Sequence, residues 1–199
     1  MFDRELGGTI YDFGTTGILR NSDLVMYDRQ TETWWQQFTG EAIAGGLAGQ
    51  KLRILPSRLQ SITLFRSRFP NGEVLLPAYS NANAYQNPYQ GYDRSRTPFL
   101  YSGRLPRDIR PMARVVAVED RAWALERLVE ELMIEEGDLI LSWTPGQNSA
   151  LDRVNVADGR DVSNVTVQRR TEEGLVDVAH HVTFAFAFHA FYPEAGISQ

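Results

Sequence analysis

Apolar side chains recur along much of this chain at every second position, the period of a strand with one face buried. Residues 23–29 set Val25, Tyr27 and Arg29 on one face and Leu24, Met26 and Asp28 on the other. Residues 33–38 set Trp34, Gln36 and Phe38 against Thr33, Trp35 and Gln37. Joined by Gln30-Thr31-Glu32, the two segments predict a hairpin with Trp34 and Phe38 facing the core and Arg29 paired with a carboxylate. Further strands are expected at 9–13, after the Gly7-Gly8 turn, at 51–55, where Pro56 stops the run, and at 73–76, 113–118 and 138–143. A second hairpin is expected over 164–170 and 175–179, turning at Thr171-Glu172-Glu173-Gly174.

The helical period appears in fewer places. Ser57 is placed to cap a helix over 58–69 that carries Leu59, Ile62, Phe65 and Phe69 and ends at Pro70-Asn71-Gly72. A longer helix is predicted over 121–136, where Leu125, Leu128, Val129, Leu132 and Met133 share a stripe between Asp120 as cap and Gly137 as terminator. The tail 182–192 fits both periods: Phe184, Phe186 and Phe188 alternate, while Phe184, Phe188 and Phe191 have helical spacing. Its likeness to Phe65-Arg66-Ser67-Arg68-Phe69-Pro70 favours a helix ended by Pro193. That echo, with Leu151-Asp152-Arg153 repeating Phe2-Asp3-Arg4, points to a degenerate internal duplication. The pattern predicts a strand-dominated α+β fold of mostly antiparallel sheets with a few helices. One domain, 1–199, is expected, with lobes of about 1–77 and 112–199. The connecting loop 78–111, counted with Pro77, holds five of nine prolines and five of eight tyrosines.

Composition narrows the function classes. A chain of 199 residues, 43% hydrophobic, can bury a core without staples. Twenty basic against 25 acidic residues leave −5, which disfavours a nucleic-acid surface, and the Tyr/Arg-rich stretch 79–107 reads as loop packing rather than base stacking. The absence of cysteine removes disulfides, thiolate nucleophiles and cysteine-based zinc sites. No run approaches the ~18 apolar residues of a spanning helix. Met1-Phe2-Asp3-Arg4-Glu5 does not read as a secretory signal, and the native compartment is left open.

The densest chemistry lies at 21–41. Asp23, Tyr27, Asp28, Arg29, Trp35, Gln37 and Glu41 offer carboxylates, a guanidinium, amides and aromatic platforms on one hairpin. The same residues also read as turn chemistry and ordinary core. His181 and His189 could converge with a carboxylate on a metal, but no H-x-H or H-E-x-x-H spacing supports it, so neither metal nor cofactor is expected. There is no G-x-S-x-G, and Gly45-Gly46-Leu47-Ala48-Gly49 is not followed by the Lys-Ser/Thr of a phosphate loop.

At Phe13-Gly14-Thr15-Thr16-Gly17, at the run from Asn21 to Thr31, and at Trp34-Trp35-Gln36-Gln37 and Gly40-Glu41-Ala42-Ile43, the sequence resembles the bacterial and archaeal family called domain of unknown function 3179. The resemblance continues through Leu55-Pro56-Ser57-Arg58-Leu59, Asn87-Pro88-Tyr89-Gln90-Gly91-Tyr92-Asp93, Leu141-Ser142-Trp143-Thr144-Pro145-Gly146-Gln147 and the Phe-rich tail. It brings no established activity. It implies strands and a Cys-Pro-x-Cys-type pair just before Phe2, both lacking here, so a thiol-dependent role is not expected. A missing partner strand predicts an exposed sheet edge, paired by a second copy or folded over by 78–111. The function expected is a non-catalytic binding or structural module centred on the 21–41 hairpin. The alternatives are an enzyme using Asp23, Asp28 or Glu41 as acid or base with Arg29 as anion clamp, and a metal-binding extracytoplasmic protein seen as a fragment.

Overall fold

A computed structural model describes residues 1–76 and 89–199. Strands β1 (Glu5–Leu6) and β2 (Thr9–Ile10) form a small hairpin. Four strands then follow in sequential antiparallel order: β3 (Phe13–Arg20), β4 (Asp23–Asp28), β5 (Trp34–Gln36) and β6 (Glu41–Ala44). The β3–β4 turn holds Asn21 and Ser22 at φ 56 and 62, the left-handed pair that matches the twist of a tight hairpin. The 23–38 hairpin expected from alternation is present, with Val25 opposite Gln36 and Tyr27 opposite Trp34. Its inner tryptophan is the other one: Trp35 is fully buried, whereas Trp34 is 41% exposed. Trp35 and its neighbour Gln36 are both buried, on opposite faces of β5, so alternation alone does not mark which tryptophan is inside. Phe38 is buried as expected.

Residues 51–55 form isolated bridges, Glu41 to Lys51 and Phe2 to Ile54, rather than a strand, because partners change within four residues. Helix α1 (Ile62–Arg68) starts later than 58 and is capped by Ser61, whose hydroxyl accepts the Leu64 N–H at 3.3 Å. Residues 58–61 are held by tertiary contacts instead: Arg58 pairs with Asp177, and the Ser61 N–H donates to Asn164 Oδ1 at 2.7 Å. Residues 73–76 are exposed and form no strand. Of the expected connecting loop, 77–88 lies outside the described residues; 89–111 contains one 3-10 turn, Tyr92–Arg94.

From 114 onward the elements are β7 (Arg114–Val118), β8 (Arg121–Ala124), α2 (Leu125–Glu131), β9 (Met133–Glu136), β10 (Leu139–Thr144), β11 (Asn164–Thr171), β12 (Gly174–Asp177), β13 (His181–Phe184), α3 (Ala185–Phe191) and β14 (Ile197–Ser198). They build two four-stranded sheets, ordered β13-β7-β8-β14 and β12-β11-β10-β9, antiparallel except for the β8–β14 pair. The architecture is therefore α+β and strand-dominated, as expected. No helix among the described residues is long and apolar enough to cross a membrane.

The long helix expected over 121–136 is replaced by strand, helix and strand. Residues 121–124 pair with β7, burying Ala122 and Trp123, and Glu119 at φ 55 makes the tight turn between them. Leu132, at φ 63, ends α2 in a left-handed cap and sends the chain into β9, which pairs with β10. Only the first part of the stripe is core. Leu125 and Leu128 pack with Val116, Trp123, Leu141 and Val167 between the two sheets, while Val129, Leu132 and Met133 face outward. The tail uses both of its periods in succession: β13 ends at Phe184, and α3 follows and closes before Pro193. Strand β7 is covered on its second face by Ala185 and Phe188 of α3.

Phe38 joins the first sheet to the second half. It stacks on Phe191 (4.7 Å between ring centres, 9° between planes) and on His181 (4.6 Å, 18°). Beside it, the Asn21 amide donates to the Ala190 carbonyl at 3.1 Å and the Ser22 hydroxyl to the Phe99 carbonyl at 3.0 Å.

The extent of α2 is directly testable. Leu128→Ala should cost ~2–5 kcal/mol in urea melts, as a buried truncation does, and Met133→Ala less than ~1 kcal/mol. Equal losses would mean that the stripe is buried throughout, as a continuous helix would require.

Candidate functional site

The Asp28 side chain is fully buried at the end of β4. Its carboxylate accepts the Trp35 indole N–H at 2.9 Å and the Thr31 backbone N–H and hydroxyl at 2.6 and 2.9 Å. Burial alone would push this carboxyl up; the hydrogen bonds from Trp35 and Thr31 outweigh it and hold the pKa below its ordinary value. Asp28 and Trp35 are thus partners in the interior. Asp23, at the opposite end of β4, accepts the Gln36 amide at 2.6 Å and the Phe38 N–H at 2.8 Å, and burial raises its pKa. Arg29 has no carboxylate partner among the described residues; it reaches the Tyr27 hydroxyl at 3.2 Å and lies over that ring. Gln37 and Glu41 are exposed. The seven residues are spread along the hairpin, and they line none of the three clefts described below.

A second set of polar groups is gathered where the sequence reading placed only loop. Residues 91–93 lie against 151–152, with Gly91 N–H donating to the Asp152 carbonyl at 3.1 Å and Asp93 N–H to the Leu151 carbonyl at 3.2 Å. Residues 147–149 run antiparallel to 160–162, joined by Ser149 N–H to Arg160 O and Val162 N–H to Gln147 O, both 2.8 Å. Gly159 is required at the crossing, since a Cβ there would sit 2.7 Å from the Ser149 carbonyl oxygen.

These segments bring together two buried carboxylates. Asp93 receives Arg114 Nη2 at 2.8 Å and the Ser149 hydroxyl, and Arg160 Nε lies 3.5 Å away. Asp152 receives Arg94 Nε at 2.6 Å and the Arg160 backbone N–H at 2.9 Å; these contacts hold its carboxyl down to about 2. The Asp93 and Asp152 side chains are 0% and 1% exposed, whereas those of Arg94 and Arg160 are 55% and 48% exposed. The acids form the floor and the guanidinium groups reach the surface. The Ser149 hydroxyl also accepts the Leu151 N–H at 3.0 Å.

A cleft of about 1120 Å³ opens over Asp93, lined by Asp93, Arg94, Arg96, Arg114 and Arg160 and also by α2. Two smaller clefts hold the histidines singled out from sequence. His189 lines one of about 530 Å³, and its buried Nε2 has no partner among the described residues. His181 lines another, of about 480 Å³, next to Phe38 and Lys51. Among the described residues, no group of three or more His, Cys, Asp or Glu side chains is arranged to hold a metal ion.

The model for "protein of unknown function (DUF3179)" matches residues 1–195. The chain belongs to the DUF3179 family. No curated protein and no solved structure matches it. In this DUF3179 chain, Asp93 ends the Asn87–Asp93 motif and Ser149 and Asp152 lie just beyond the Leu141–Gln147 motif; only the fold brings them together. The signals available from sequence were the Asp93-Arg94 and Asp152-Arg153 dipeptides, each setting an acid beside a base.

The histidines predict a pH dependence. Burial lowers His181 to about 4 from 6.5 and also lowers the adjacent His180. Between those values the unfolded chain binds a proton that the folded chain refuses, so the contribution to stability is full above about 6.5 and is lost as pH falls toward 4. Asp23, raised by burial, has the opposite sign: what it contributes below 3.8 is lost as pH rises through its folded value. His181→Phe keeps a ring on Phe38 without the proton. Urea melts at about pH 7 and about pH 5 should show a smaller fall for the variant than for the wild type. Equal falls would mean that His181 protonates freely in the fold.

Proposed function

We propose that the chain is a non-catalytic binding module for a small molecule carrying a carboxylate or phosphate group, and that the cleft over Asp93, with Arg94 and Arg160 on it, is its site. The observation that supports this is the anchoring of Arg94 and Arg160. Each is about half-exposed at the cleft and tied at one edge to a carboxylate that is itself out of water. A guanidinium held this way keeps outward N–H donors in a fixed direction, which is the preorganisation that planar, bidentate recognition of an oxyanion needs. Arg96 lines the same wall with no carboxylate partner among the described residues.

The chemistry of Ser149 favours binding over catalysis. Its hydroxyl donates to Asp93 and accepts from Leu151, the residue is 1% exposed, and no histidine belongs to the cluster. A serine nucleophile needs an exposed oxygen and a base able to take its proton. On this reading the 21–41 hairpin has a structural part: Asp28 and Trp35 fix its interior, and Phe38 and Asn21 carry it onto α3.

Thermal-shift titration with phosphate, pyrophosphate, citrate and acetate, at constant ionic strength, tests the proposal. At least one anion should raise the midpoint saturably, because a ligand at ~100 Kd adds ~2.7 kcal/mol to a native state that alone binds it. Arg96→Ala and Arg160→Ala should each weaken that anion about 10–100-fold, the worth of a hydrogen bond to a charged group. No response to any of the four, or equal responses in the variants, would overturn it.

A further inference from the structure

The residues that line the cleft fall into two ion-paired groups of opposite charge, which we call its two walls. One wall is built from 93–96, the first residue of β7 and 160–163, and it sets four arginines (Arg94, Arg96, Arg114, Arg160) against two aspartates (Asp93, Asp161). Asp161 is itself occupied by backbone donors, taking the Gly146 N–H at 2.7 Å and the Ser163 N–H at 2.8 Å. The other wall is built from α2 and 108–110, and it sets four carboxylates (Asp108, Glu126, Glu130, Glu131) against two arginines (Arg110, Arg127).

The pairing within each wall leaves unlike remainders. On the α2 side, Arg127 Nε holds Glu131 at 2.7 Å and Arg110 lies 3.6 Å from Glu126. Glu130 and the Asp108 carboxylate then have no cationic partner among the described residues. On the other side Asp93 is shared by Arg114 and Arg160, Arg94 is held by Asp152, and Arg96 has no carboxylate partner among the described residues. The apolar side chains of Ile109, Met112 and Val129 line the same cleft.

We infer that the ligand of this cleft is dipolar, with a carboxylate or phosphate against the arginine wall, an ammonium against Glu130 and Asp108, and an aliphatic middle. This rests on the reading given under Proposed function and extends it. A simple anion meets the arginines but leaves the surplus carboxylates opposite it unpaired. A simple cation makes the converse mistake. A molecule carrying both charges pairs each wall with its counter-ion, and the complementarity discriminates against partners of one sign.

Calorimetric titration of the full chain with ε-aminocaproate, γ-aminobutyrate, caproate, adipate and hexamethylenediamine tests this, with citrate and phosphate as anion controls. One of the two amino acids should bind at least about 10-fold more tightly than caproate or adipate, a difference of ~1.4 kcal/mol. Glu130→Gln and Asp108→Asn, each checked by circular dichroism for an unchanged fold, should reduce that affinity toward the caproate value. If caproate or adipate binds as tightly as the amino acids, the dipolar inference fails while the anion site stands. If the diamine alone binds, or if nothing including citrate and phosphate binds, both fail.

Discussion

A carboxylate taken out of water must be surrounded by donors, and much of this structure follows from three that are. Desolvation of such a group costs several kcal/mol unless its lone pairs are met by hydrogen bonds or cations. Asp28, Asp93 and Asp152 are each buried, and each is met by donors from more than one segment. Asp28 closes the β4–β5 hairpin on Trp35. Asp93 and Asp152 tie the 89–96 stretch to the loops beside β10 and β11, regions with little regular structure of their own. The fold of the loops is in this sense electrostatic, while the fold of the sheets is hydrophobic.

That division explains what was legible in the sequence. Alternation identified the 23–38 hairpin, β7, β10 and the β11–β12 hairpin, because a sheet face against a core writes its period directly into the chain. It misjudged 121–136, where about two turns of real helix sit between two strands. There the stripe Leu125, Leu128, Val129, Leu132, Met133 is helical in spacing, but the turns at Glu119 and Leu132 depend on left-handed backbone at residues that do not advertise it. Trp34 and Trp35 were exchanged because β5 is buried on both faces, at Trp35 and at Gln36, which erases the alternation that would tell them apart.

The candidate site was illegible for a different reason. Asp93, Ser149, Asp152 and Arg160 are dispersed over nearly seventy positions and share no period or spacing, only a place in space. The 21–41 hairpin drew attention because its polar and aromatic residues are dense, yet density in sequence there reflects the demands of a buried carboxylate and a tight turn. The cleft arginines are dispersed along the chain. Segments 93–96, 114 and 160–163 bring them to one wall.

The account depends on the cleft arginines being held in place before any ligand arrives. Nuclear spin relaxation of arginine Nε–H groups in the free protein measures this directly. Arg94 and Arg160, each anchored on a buried carboxylate, should show order close to that of the backbone, with Arg96 and the exposed Arg66 far more mobile. If Arg94 and Arg160 prove as mobile as Arg66, the buried aspartates organise the loops alone, and the cleft is not a preformed site.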